Sequence, residues 1–320
     1  MRGEAPRRVL KALAPFGVLL IVVAVFYLIP PHPPVKLLDL RTIAVQTVIV
    51  SIAAMGMTFV IVSAGIDLSV GSAIALASVT AAMAMDNGLP LSVTIPVTLG
   101  AGALCGLYNG LLITVLRLPP FIATLGTLGF FRGVAKWISD SRPITAPTDG
   151  LELWVQPIPA QGWLVFAPAV WLMFGLAVLM ALALRHSVLG RYAFAIGSNE
   201  ATARLCGVRV ERTKVFIYVL MGLMTGLAGL FQFARLTQGD PTVAVGLELD
   251  VIAAVVIGGA SLAGGQGSIV GTLVGAFLMS YLRNRCIALG WPNFVQEMII
   301  GHVIIVAVAA DQWRLRRMFR

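Results

Sequence analysis

Four carboxylates interrupt otherwise apolar stretches: Asp67, Glu248, Asp250 and Glu297. A carboxylate in hydrocarbon costs about 3 kcal/mol or more, so each must face protein, water or an opposite charge. Two chemistries suit such groups. In an ion-coupled carrier they bind the proton or the sodium ion. Beside a glycine at a span end they accept backbone N–H bonds and cap a helix N-terminus. Asp67, Glu248 and Asp250 lie near glycines at span ends, so both readings stand for them. Glu297 reads as a near-interface residue of the last span. Metal chemistry is not expected. His32, His186 and His302 are far apart, and Cys105, Cys206 and Cys286 form no C-x-x-C, so neither a zinc site nor a disulfide framework emerges. Nucleotide chemistry is not expected either. A P-loop needs Gly-Lys before Ser or Thr, and Lys11, Lys36, Lys136 and Lys214 follow Leu, Val, Ala and Thr. If ATP drives this protein, a partner chain must bind it.

The elements that hold these acids must be membrane spans. Of 320 residues, 58% are hydrophobic and 12% charged, with a mean hydropathy of +0.93. A soluble domain carries about 25% charged residues. Without that polar cover, a soluble enzyme and a disordered chain are both excluded. A polytopic all-α membrane protein remains, in which lipid replaces water at the surface. The net charge of +9 would suggest nucleic acid in a soluble protein, but the basic residues gather at span ends and fit membrane orientation instead.

The hydropathy pattern predicts about ten transmembrane helices in a single domain, 1–320. The first runs from Ala12 to Pro30, behind Arg2, Arg7, Arg8 and Lys11, and is stopped by Pro30, Pro31, Pro33 and Pro34. A basic start before an apolar run resembles a secretory signal, with Arg7-Arg8 hinting at a twin-arginine one. No A-x-A site follows it, so an uncleaved first helix is expected. The others are placed at 42–64, 68–85, 90–116, 121–138, 163–184, 214–235, 247–263, 268–289 and 294–311. The long run 42–85 is divided at Gly65–Gly71, where glycine and polar residues weaken a helix. With both termini cytoplasmic, 15 of the 23 basic residues fall inside. Arg283 and Arg285, at the outer end of the ninth span, go against the positive-inside rule. The long outer loop is 139–162 and the long inner loop 185–213.

A repeat is also expected. Gly65-Ile66-Asp67-Leu68-Ser69-Val70 resembles Gly246-Leu247-Glu248-Leu249-Asp250-Val251, and each is followed by a G-x-x-x-G and an arginine: Gly106, Gly110 and Arg117, then Gly271, Gly275 and Arg283. A chance match in an apolar chain is the competing explanation. In this topology the copies are inverted, as in many transporters, with the pathway between them. Glycines 102, 106 and 110, 222, 226 and 229, and 267, 271 and 275 stack on helix faces and allow close backbone approach, either for packing or for sliding.

In the inner loop, residues 198–207 predict a short helix. Ser198 or Asn199 can cap it, Glu200 suits its first turn, and Gly207 stops it. It is either a docking helix for a cytoplasmic partner or a plain surface helix.

The run Gly56–Ser72 closely resembles the hallmark segment of ribose-type ABC sugar permeases, the membrane subunits of the second class of bacterial carbohydrate uptake transporters. Pro120–Thr127 with Arg132-Gly133, Gly190-Arg191, Ala195–Gly197, Asn199, Ala203–Leu205, Gly207-Val208, Gly246–Gly259 and Gly264–Ser268 extend the resemblance over roughly 40–310. Ser198 and Thr202 depart from it, standing where the family tends to have glycine and alanine. The resemblance implies a permease subunit of an ATP-driven importer for pentose- or hexose-type sugars in the bacterial inner membrane. It performs no catalysis and holds no cofactor, because ATP and magnesium sit on a cytoplasmic ABC ATPase. Its other implied partners are an extracytoplasmic sugar-binding protein and a second permease copy or sister permease. Asp67, Ser69, Phe121, Thr124, Glu248 and Asp250 would line or gate the path. Ser198, Asn199, Glu200, Ala201, Arg204 and Gly207 would couple to the ATPase. The rival readings are a branched-chain amino-acid-type ABC permease, an ion-coupled secondary carrier using Asp67 or Glu248, and a membrane scaffold without transport.

Overall fold

Residues 43–62 are apolar on every face apart from Gln46 and a few hydroxyls. Thr47 and Thr58 return their hydroxyls to Ile43 O and Ala54 O of their own helix. A helix apolar all round must be surrounded, and this one is the axis of the bundle. The computed structural model describes residues 4–29, 36–160 and 164–318. Pro30, Pro31, Pro33 and Pro34, expected to stop the first helix, lie outside the described residues. So do Arg2 and Arg320 of the basic termini and residues 161–162 of the outer loop.

Among the described residues the chain forms twelve α-helices: α1 Glu4–Leu28, α2 Leu37–Val62, α3 Val70–Asp86, α4 Leu91–Thr114, α5 Pro120–Ile138, α6 Pro168–His186, α7 Val188–Ser198, α8 Glu200–Leu205, α9 Val210–Leu236, α10 Leu247–Ile257, α11 Ile269–Ala288 and α12 Asn293–Met318. A two-residue ladder pairs β1 (Ile144–Thr145) antiparallel with β2 (Gln238–Gly239). By length and composition α2, α4, α6 and α9 can each cross a bilayer, and Pro15–Leu28, α3 and Asn293–Val306 are shorter apolar helices. The chain is an all-α membrane protein.

One expectation needs correction. The span placed at 247–263 is helical only over the eleven residues of α10. At 1.5 Å per residue that is about 16 Å, half of a hydrocarbon core, and residues 258–268 turn instead. The short helix expected over 198–207 is present as α8: Asn199 caps it by accepting the Thr202 N–H at 2.9 Å, while Ser198, the other candidate cap, is the last residue of α7.

Four connections meet at one end of the bundle: 63–69, 115–119, 199–209 and 258–268. Gly265 N–H donates to Val62 O at 2.9 Å, and Gly197 lies against the same carbonyl. Ile113, Pro120, Glu200 and Lys214 share a groove there. The opposite end carries β1, β2 and the bond from Arg41 Nε to Val165 O at 2.7 Å.

Arg283 and Arg285, the two exceptions to the charge rule, each have a carboxylate partner. Arg283 pairs with Asp250 at 2.6 Å, and Arg285 lies 3.6 Å from Asp39.

Candidate functional site

The chain breaks after α2 because Ala64 takes a positive φ and the next residues turn, leaving backbone groups without helical partners. In an apolar bundle those groups need internal partners. Asp67 supplies them. Its Oδ1 accepts the Ser69 N–H at 2.8 Å and the Ser69 hydroxyl at 2.6 Å. Asn109 of α4 donates to Ser69 Oγ at 2.8 Å and to Asp67 Oδ2 at 3.3 Å, and its own Oδ1 accepts from Thr127 of α5 at 2.7 Å. Thr124 of α5 and Tyr218 of α9 both donate to Ile66 O, at 3.3 and 3.2 Å. Asp67, Ser69, Asn109, Thr124 and Thr127 are all buried. The result is a closed polar clamp that fixes the break to α4, α5 and α9. Asp67 thus accepts a backbone N–H two residues on, just ahead of α3, whose first turn itself carries no side-chain cap.

Asn109, Thr127 and Tyr218 were not singled out from sequence. Their signal was a polar side chain inside an apolar span, Asn109 lying between Gly106 and Gly110. Replacing Asn109 with alanine removes the donor to Asp67 Oδ2 and should cost about 2–3 kcal/mol. The detergent-solubilised variant should melt several degrees lower, and an unchanged melting curve would refute the clamp.

A second break follows α9. Gly239 packs on Ser78 and Val79 of α3, whereas Ala244 O and Glu248 Oε2 press on Gly71 in the first turn of that helix. Eight residues of helix separate those levels, so the chain runs back along α3 by about 12 Å before α10 begins. Arg132 of α5 holds the returning segment by donating to Pro241 O and Val243 O, both at 2.7 Å. The N-termini of α3 and α10 therefore lie side by side. Glu248 accepts the Gly246 N–H at 3.2 Å, and Asp250, buried one turn on, pairs with Arg283. The two similar sextets differ locally: 65–69 precede their helix, while 247–251 are already helical. The tertiary structure brings Asp67, Ser69 and Thr124 together and puts Glu248 and Asp250 across α3. Phe121 joins neither group, being half exposed on α5.

The residues expected to couple form a compact unit. Glu200 accepts from Lys214 at 2.7 Å and from Arg204 at 3.3 Å, and Arg204 also reaches Glu211 at 2.5 Å. The Lys214 hydrogen bond is the main reason that the Glu200 carboxyl is held below the usual glutamate range. A lowered carboxyl keeps these pairs intact at neutral pH. Their contribution is lost only in acid, as pH falls through the folded-state value. These pairs seat α8 on the first turns of α9. Ser198 closes α7, Ala201 faces outward, and Gly207 ends α8 at φ +83°. Leu205, not among the expected coupling residues, is 89% exposed at the tip.

A family model described as the permease component of a branched-chain amino acid transport system matches residues 40–308. The chain is 38% identical over 300 residues to the ribose import permease protein RbsC of Haemophilus influenzae, covering 93% of this chain and 92% of that one. It is 40% identical over 311 residues to RbsC of Bacillus subtilis, covering 95% and 94%. It is 34% identical to the autoinducer 2 import system permease protein LsrC of Photorhabdus laumondii, covering 82% and 78%. No solved structure matches it significantly.

Proposed function

Since the chain belongs to this permease family, as a ribose-type ABC sugar permease, we propose that it passes a pentose- or hexose-type monosaccharide from an extracytoplasmic binding protein to the cytoplasm. Identity over more than nine-tenths of both chains to a ribose import permease carries this reading. The chain is a transport subunit of a multi-pass membrane assembly and not an enzyme. Its place is the bacterial inner membrane. A cytoplasmic ABC ATPase binds ATP and magnesium, and a second permease copy or sister chain completes the path. Ten spans with both termini cytoplasmic, in two inverted units, best fit the meeting at one end of the connections 115–119 and 199–209, which carry Arg117, Arg204 and Arg209.

In this mechanism the ATPase moves α8, and two routes carry that motion to the break at 63–69. One is the contact of Gly197 with Val62 O. The other is α9, tied to α8 through Lys214 and to the break through Tyr218. A two-state equilibrium of the breaks, biased by ATP, then opens the path to one side or the other. Asp67, Ser69 and Thr124 hold the first break, Glu248 and Asp250 the second, and Phe121 faces outward from the path-lining helix α5.

The deciding experiment is uptake by proteoliposomes holding the permease, its ATPase and its binding protein. ATP-dependent accumulation of labelled ribose is expected, while leucine is left outside. Leucine uptake would favour the amino-acid reading, and uptake without the ATPase would favour an ion-coupled carrier.

Docking can be tested separately. Exposed ion pairs contribute little to stability, so Glu200→Ala and Arg204→Ala should leave the melting curve unchanged. Both should nevertheless reduce ATPase co-purification, and Leu205→Asp should reduce it furthest, by about tenfold, the equivalent of one buried aliphatic contact. Normal complex assembly in all three would remove α8 from the docking surface.

A further inference from the structure

A part-polar cavity of about 100 Å³ lies among α2, α9, α10 and α11, apart from the clamp at Asp67. Gln46, Gln232, Arg235, Asp250, Ser280 and Arg283 form its polar side, and four apolar side chains complete the lining. Gln232, Asp250 and Ser280 are only 3%, 3% and 4% exposed. Three acceptor atoms around it, Gln46 Oε1, Asp250 Oδ1 and Ser280 Oγ, are buried and hydrogen-bonded to no protein group. Packing rarely tolerates this, since an unsatisfied buried polar atom is costly and its cost rises in a lipid-embedded bundle. Three such atoms around one cavity mark a place built for a hydroxyl-bearing occupant.

The donors present define that occupant. Arg283 uses one bond on Asp250 Oδ2, at 2.6 Å, and Arg235 donates to Gln232 Oε1 at 3.3 Å. Each guanidinium carries five N–H groups, so each can donate beyond the bond it makes here. Two arginines and one carboxylate give the lining a positive balance, which repels a cation. Asp250 Oδ1 and Gln46 Oε1 can only accept, so an occupant bound there must donate, which an anion without N–H or O–H groups cannot do. A neutral molecule that donates and accepts at successive oxygens satisfies both. The geometry points to a way station for the hydroxyl groups of a neutral polyhydroxylated solute, with Asp250 and Gln46 accepting from it and the arginines donating to it. The volume takes about three waters, or the leading hydroxyls of a monosaccharide whose remainder lies outside the mouth. This assignment rests on the sugar-import reading and gives that path a contact point in the permease itself.

The test uses the complete transporter in proteoliposomes with labelled ribose. Ser280→Val and Gln46→Leu remove acceptors while sparing the Asp250–Arg283 pair. Both should lower ribose moved per ATP hydrolysed about fivefold, with ATPase stimulation by the binding protein retained. Loss of one or two hydrogen bonds corresponds to such a factor. Damage to the fold would lower transport and hydrolysis together, and that result would overturn the assignment, as would unchanged ribose per ATP. As a second readout, Ser280→Cys should react with a small charged thiol reagent above the background set by exposed Cys206, and saturating ribose should slow that reaction. Labelling at equal rates with and without ribose would also overturn the site. If the unsubstituted complex moves no pentose or hexose, the functional reading fails and the way station falls with it. Wild-type uptake with unaffected variants would sink the way station alone.

Discussion

Exchanging Gly197 for leucine is expected to abolish ATP-driven uptake. A Cβ at this position would stand 1.8 Å from Val62 O and 2.6 Å from Gly265 N. Both are backbone atoms with no side chain to swing aside. The substitution therefore breaks the bond between Gly265 N–H and Val62 O and lifts α7 from the end of α2. Ordinary overpacking costs about 1–3 kcal/mol, and a wedge against backbone costs more. Since 2.7 kcal/mol is about a hundredfold in an equilibrium, uptake should fall by at least that factor. The contact lies at the end of the bundle, so membrane insertion and the clamp around Asp67 should survive. ATPase binding through the outer face of α8 should survive as well, giving a complex that assembles but does not transport. Gly197→Ala should show the same defect more mildly. Wild-type uptake in the leucine variant would show that the motion of α8 reaches the break by another route.

Gly106→Leu should instead prevent folding. In α4 a Cβ at this residue would fall 2.0 Å from Tyr218 O of α9, where Gly102 and Gly222 also bring the two helices together. Helices in a membrane associate through close packing of small residues, because lipid tails remove the hydrophobic drive. A leucine would separate α4 from α9 and pull Asn109 away from Ser69. Expression in the membrane should drop severely, and surviving protein should melt well below the parent in detergent. Gly175→Leu, on an open face of α6 with no atom within 4 Å of the new Cβ, is the control and should be tolerated within the same chain. Equal melting of the two variants would refute the close contact.

The two substitutions separate what the chain order reveals from what it conceals. Helices α2, α4 and α9 were legible because an apolar run of sufficient length has one stable form in lipid, with its backbone bonds closed internally. The first break was legible for the same reason in reverse, since Gly65, Asp67, Ser69 and Gly71 interrupt the run with groups that a helix interior does not favour. The Asn199 cap was legible because capping is local and spans three residues. The hallmark segments also led correctly to a sugar permease. The second break was legible in position, between the spans expected at 214–235 and 247–263, but the early stop of α10 was not. Residues 247–263 are as apolar as a span, and only the return of 240–246 along α3 and the close approach of Gly258 to Gly271 show why α10 stops after eleven residues.

The same distinction holds for the polar groups. Sequence marked Asp67 and Asp250 as costly in lipid, and nothing in it distinguished their fates. Asp67 meets Ser69 two residues away, and Asn109 then completes its shell, so its environment closes. Asp250 meets Arg283, 33 residues along, and its other carboxylate oxygen has no protein partner, in a residue that lines one cavity with Gln46 and Ser280. What the amino-acid order determined by itself was the solvent, the spans, their interruptions and the family, because each depends on neighbours along the chain or on composition. What the tertiary structure alone decided was which acid is satisfied and which remains open, and how Gly197 joins α8 to the first break. Those depend on backbone approaches between segments far apart in sequence, where a single Cβ or one missing partner changes the outcome.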